Sequence, residues 1–122
     1  MSKKLYRFNE HNVCLNPDEI IIGKHVMIEV AEYNGKWVSG HFYMLNLCGD
    51  GTPCSIKLYG GFSTKDEAIK FEIRKVIQKM NHEIEFHKDR DGWRSEIKRL
   101  KKYVNLLKQY LFDMTHVQLS LF

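Results

Sequence analysis

Gln118-Leu119-Ser120-Leu121-Phe122 hold the side chains of this chain best suited to chemistry, and that chemistry is recognition rather than reaction. Leu121 and Phe122 form an adjacent apolar pair, and a groove that desolvates them gains roughly 1.5–3 kcal/mol per buried side chain. Leu119 offers a second apolar contact, and the Gln118 amide both donates and accepts hydrogen bonds. An apolar tip of this kind asks for a use, because soluble monomers seldom leave such groups in water without one. The alternation of Val117, Leu119 and Leu121 with Gln118 and Ser120 also fits a last β-strand that secures the end of the chain.

These residues resemble the linear peptide by which bacterial replication and repair proteins dock on the sliding clamp, a pattern written Gln-Leu-(Ser or Asp)-Leu-Phe. Every position of the pattern matches. The resemblance implies a partner, the bacterial sliding clamp, with Gln118, Leu119, Ser120, Leu121 and Phe122 as its contacts. It implies no activity.

The second candidate group is basic. Lys88, Arg90, Arg94, Lys98, Arg99, Lys101 and Lys102 crowd one stretch against Asp89, Asp91 and Glu96, whereas Asn9 to Glu32 is rich in acids. Such a stripe is the signature of a contact to a phosphate backbone, and equally of a solvated helix face. Arg94, Lys98, Lys101 and Lys102, with Lys36 and Lys57 from the predicted sheet, are the candidate nucleic-acid contacts.

Catalytic chemistry finds little in this sequence. It has no Gly-rich phosphate loop, no His-x-Glu with paired cysteines and no nucleophile-elbow serine. His82 and His87 share a predicted helix end but miss the four-residue spacing that puts two ligands on one face. Cys48 and Cys54, with His11, His25 or His41, are the nearest approach to a zinc set. The five residues between the two cysteines exceed the usual zinc spacing, so free thiols are expected. The reading is a non-enzyme with no cofactor and no metal.

A chain of 122 residues with 43% hydrophobic content and a net charge of +4 is long enough to bury a core without disulfides. Its odd count of three cysteines fits a reducing compartment. No apolar run reaches membrane-spanning length, and none follows the basic residues near Met1, so a cytoplasmic protein without a signal peptide is expected.

The elements that must position these groups form an α+β arrangement. A short strand at Leu5 to Phe8 is followed by a turn at Asn16-Pro17-Asp18. Three antiparallel strands then make a meander: His25 to Tyr33, Trp37 to Leu47 and Ser55 to Tyr59. Asn34-Gly35 is a strong hairpin signal, and Gly49 to Pro53 reads as the second turn. The hairpin register pairs Ala31 with Val38, Met27 with Phe42 and Val26 with Tyr43. Both faces are apolar: one is expected under helix, and the other under the N-terminal segment, a second subunit, or nucleic acid meeting Trp37, His41 and Tyr43.

Thr64 with Glu67 is a capping box that opens a helix from about Lys65 to Lys88, carrying Ile69, Ile73, Val76, Ile77, Met80 and Ile84 on one stripe. Arg90-Asp91-Gly92 breaks it. Trp93, Ile97, Leu100, Val104, Leu107 and Leu111 then alternate steps of four and three, predicting a second helix from Trp93 to Phe112. It packs antiparallel on the first or mediates self-association. Residues 1–112 are thus expected as one α+β unit and 113–122 as an extended tail.

Gly61, Phe62, Thr64, Glu67 and Ala68 at the sheet–helix junction resemble the Gly-Phe-x-Thr-x-x-Glu-Ala junction of phage-integrase arm-binding and AP2-like domains. That resemblance covers about His25 to Met80 and implies a three-stranded sheet laid in a DNA groove. The strands here carry few basic residues, only Lys36 and Lys57 being well placed, and a second long helix follows. The sequence therefore reads as an accessory protein of bacterial, phage or plasmid DNA replication or repair, tethered to the clamp. The alternative is a small homodimer associating through its second helix, with its last residues packed as a strand.

Overall fold

The computed structural model of the protein describes residues 4–57 and 60–120, with side chains as far as Thr115 in the last helix. Its strands β1 (Asp18–Ile22), β2 (Val26–Tyr33), β3 (Lys36–Met44) and β4 (Gly49–Thr52) pair in chain order as an antiparallel meander. Asn34 and Gly35, with φ of 50° and 77°, take the left-handed pair of conformations that a tight two-residue hairpin needs. That turn sets the expected register, with Ala31 opposite Val38, Met27 opposite Phe42 and Val26 opposite Tyr43.

The outer strands depart from expectation, and the sheet has four strands rather than three. Leu5 to Phe8 is not a strand: Phe8 makes one isolated bridge, to Cys14. The edge strand is instead β1, which begins directly after Pro17 and carries three consecutive isoleucines, Ile20 to Ile22; a proline ahead of an edge strand removes no ladder hydrogen bond. Ser55 likewise makes only an isolated bridge, to Val13, while Leu58 and Tyr59 lie outside the described residues. The segment expected as a turn, Gly49 to Thr52, pairs with β3 through its backbone. Gly40 lets the chain cross there, because a Cβ at that position would lie 2.4 Å from the Cys54 nitrogen.

Alternation along β2 and β3 buries Val26, Ile28, Val30, His41 and Tyr43 on the helical side. The first helix, α1 (Lys65–His87), starts as expected: Thr64 caps it, its hydroxyl accepting from the Glu67 N–H at 3.2 Å. Just ahead of it, Phe62 bridges to Trp37 through the backbone, and Gly61 at φ 97° permits the approach, because a Cβ there would lie 2.5 Å from the Trp37 carbonyl oxygen. The second helix, α2 (Arg94–Ser120), returns against α1 across a short connection, so the two run antiparallel. Leu100, Val104 and Leu107 of the expected seam are buried in the common core, with Leu111 partly buried against it. The backbone stays helical through Ser120, so the expected end at Phe112 and the extended tail beyond it are not found. Neither Gly nor Pro interrupts that stretch.

The N-terminal segment, one of the covers expected for the other face, lies over part of it. Tyr6 and Phe8 pack on a small core of Cys14, Ala31, Val38 and Cys54. Asp18 holds this segment down, accepting from Lys4 at 2.7 Å, Tyr6 at 2.6 Å and Lys65 at 2.9 Å. Burial alone would raise the Asp18 carboxyl, but these three donors hold it well below the usual carboxylate range. The rest of the face stays open, with Ile21, Phe42 and Met44 exposed around half-buried Met27. His41 and Tyr43, by contrast, lie beneath the helices and out of reach of nucleic acid.

Glu29 stands directly opposite Glu19 on this open face. Burial, reinforced by the Glu19 charge, pushes the Glu29 carboxyl up. A carboxyl raised by folding costs stability at neutral pH, and the cost is relieved as pH falls through the raised value. Glu29→Gln is therefore expected to stabilise the protein by about 0.5–1 kcal/mol at pH 7. Urea unfolding of the two proteins should show that difference shrinking toward zero in acid.

Candidate functional site

Glu72 lies on the buried stripe of α1, four residues from both Ala68 and Val76. A carboxylate in that position needs partners, and the sheet supplies them. Ser39 donates to Glu72 Oε1 at 2.7 Å, and His41 Nδ1 meets Oε2. The other ring nitrogen, Nε2, meets Asp50 Oδ2 at 2.6 Å, and the Lys79 ammonium closes on the same oxygen. Two carboxylate acceptors are both satisfied only by a ring protonated at both nitrogens, so the line alternates charge: Glu72 negative, His41 positive, Asp50 negative, Lys79 positive. Burial pushes Glu72 and Asp50 up, but the hydrogen bonds and charges of His41, Ser39 and Lys79 more than offset it and hold both carboxyls below their ordinary range.

This line reaches the surface at Asp50, beside a cleft of about 320 Å³ shared by Tyr43, Gln78, Lys79, His82 and Glu83. It does not form a nucleophile relay: both imidazole nitrogens are occupied, and the Ser39 hydroxyl is bound to Glu72 rather than to the ring. Its chemistry is that of a clamp between sheet and helix. The thiols are equally quiet. Burial pushes Cys48 and Cys54 up to about 12, so neither is a thiolate at neutral pH. Cys48 packs toward the helical core and Cys54 sits in the small core on the other face; among the described residues no group of metal-binding side chains assembles.

The larger concavity is elsewhere. Where α1 turns into α2, a cleft of about 500 Å³ is lined by Lys88, Arg90, Arg94, Lys98 and Lys101 against only two carboxylates, Asp89 and Asp91. Lys88 is engaged by Glu85 at 2.6 Å, and Arg90 lies over the Phe86 ring at 4.9 Å. Among the described residues, Arg94, Lys98 and Lys101 enter no ion pair. One helical face explains this gathering, since steps of four and three place the three on neighbouring turns.

Three of the expected basic residues thus meet in one place, joined by Lys88 and Arg90 from the turn. The others stand apart. Lys36 opens β3 at the far hairpin, Lys57 donates to Ser55 at 3.1 Å on the way to α1, and Lys102 is exposed on α2 outside the cleft. Gln118, Leu119 and Ser120 form the end of α2, while Leu121 and Phe122 lie outside the described residues. The buried line was not anticipated. Its one signal in the sequence is Glu72 itself, a carboxylate in register with the apolar stripe of α1.

Removing the Glu72 charge strands His41 in the core, so Glu72→Gln is expected to cost about 3–5 kcal/mol in urea or thermal unfolding. Both lowered carboxyls bind protons more weakly in the folded than in the unfolded chain. Their contribution is therefore full above about pH 5, beyond both ordinary carboxyl values, and is lost as pH falls through the lowered folded values. An acid titration of stability should lose the Glu72 part of that slope in Glu72→Gln and keep the part that Lys79 supports at Asp50. Comparisons of this chain with protein-family models, with curated proteins and with solved structures found no match.

Proposed function

We propose that this chain is an accessory protein of DNA metabolism that docks on the bacterial sliding clamp through Gln118 to Phe122 and carries a body that binds DNA or another protein. The observation behind this reading is the match of Gln118, Leu119, Ser120, Leu121 and Phe122 to the whole clamp-docking pattern. Apolar Leu119, Leu121 and Phe122 supply the area that a groove can desolvate, and Gln118 supplies the polar contact that fixes register.

The placement of α2 supports the reading. Tyr110, Leu111 and Met114 are the last of its described side chains packed against the core. Gln118 follows Met114 by four residues, about 6 Å further along a helix. A peptide so close to the body brings that body against the clamp, and docking raises its local concentration near the DNA that the clamp encircles.

The test is a titration of the intact protein, and of a version ending at Val117, against a purified bacterial sliding clamp. The intact protein is expected to bind near the micromolar range, with the shortened one at least tenfold weaker. Equal binding by both, or binding by neither, overturns the proposal. Phe122→Ala in the intact chain is expected to reproduce most of the loss.

A further inference from the structure

The basic cleft at the α1–α2 corner borders a second feature that its charge does not explain. His82, Phe86 and Arg90, at four-residue steps, form a surface row of planar groups leading to the cleft. The His82 and Phe86 rings lie 6.3 Å apart and 23° from parallel, and the Arg90 guanidinium lies 4.9 Å from the Phe86 centroid. Phe86 is 60% exposed, among the most open large apolar side chains described. It meets His87 at 4.7 Å and 84°, and His87 is stacked on Trp93 at 3.5 Å and 3°. The row is therefore backed by the stacked rings of buried His87 and half-buried Trp93.

We infer that this corner binds single-stranded nucleic acid, with phosphates along Arg94, Lys98 and Lys101 and a base stacked on the row at Phe86. Single-strand sites combine a cationic groove that tracks the backbone with aromatic faces on which unpaired bases stack. Both parts are present here and they adjoin. A duplex keeps its bases stacked on one another, so it gains from the cations but not from Phe86. A bilayer presents a flat surface, which fits the concave arrangement of Arg94, Lys98 and Lys101 poorly. The inference deepens the reading of the body as a nucleic-acid-binding unit and names its ligand class, but it does not depend on the clamp-docking peptide.

The experiment measures binding of the full chain by fluorescence anisotropy. The probes are a labelled thymidine oligonucleotide of about 15 nucleotides, a duplex of the same length, and vesicles of an anionic phospholipid. The single strand is expected to bind at least fivefold tighter than the duplex. Phe86→Ala should weaken single-strand binding roughly 5- to 100-fold while leaving its salt dependence unchanged, and Phe86→Trp should restore it. Lys98→Glu combined with Lys101→Glu should weaken both nucleic acids and reduce the salt slope by about 1–2. If Phe86→Ala melts early, Phe86→Leu replaces it, keeping apolar bulk without a π face. Duplex or vesicle binding as tight as single-strand binding overturns the inference, as does an unchanged affinity in either set of variants. A version ending at Val117 is expected to bind the oligonucleotide like the intact chain. A clamp titration that fails therefore leaves this result standing, and the reverse also holds.

Discussion

The buried run of alternating charge from Glu72 through His41 and Asp50 to Lys79 is the constraint on which the rest of the architecture depends. Glu72 and His41 are taken out of water, which is expensive and tolerable only because each has a partner of opposite sign at hydrogen-bond distance, while Asp50 and Lys79 carry the line to the surface. Glu72 and Lys79 come from α1, His41 and Asp50 from the sheet. Sliding α1 by one turn would keep much of its apolar stripe on the sheet but would part Glu72 from His41. The line thus selects one seating of the helix among several that hydrophobic burial alone would accept.

Two other carboxylates do the same work at other joints. Asp18 on β1 gathers donors from the N-terminal segment and from the first turn of α1. Glu96 on α2 accepts the backbone N–H groups of Leu47 and Cys48, tying the second helix to the connection that feeds β4. Sheet and helices are therefore joined by acids whose contacts reach across 31 to 49 residues of sequence. Arg94, Lys98 and Lys101 near the head of α2 inherit their position from the Glu96 anchor within the same turns.

What the sequence made legible was whatever carries its own local rule. Asn34-Gly35 dictates its turn, Thr64 and Glu67 mark a helix start, and the stripes from Ile69 and from Leu100 need only the period of a helix to be recognised. The outer strands have no such rule. β4 contains two glycines and no large apolar residue, so the open edge of β3, the partners of Asp50 and the Glu96 anchor make it a strand, and all three are tertiary. The basic residues of α2 could be read as one face, but their meeting with Lys88 and Arg90 depends on how tightly the chain turns at Gly92. Alternation alone puts Trp37, His41 and Tyr43 on one face of the hairpin. Which face the helices would cover is a tertiary fact, set by Glu72, and strand alternation is blind to it.

The length of α2 has a consequence of its own. Arg94 and Gln118 are separated by 24 residues of continuous helix, about 36 Å at 1.5 Å per residue. Two molecules engaged at the opposite ends of that helix are held at a fixed spacing by a rod, not joined through a slack linker. The helix is then a ruler as well as a packing element, and inserting or deleting one residue between Thr115 and Gln118 would turn the far end by about 100° relative to the cleft while hardly altering the distance.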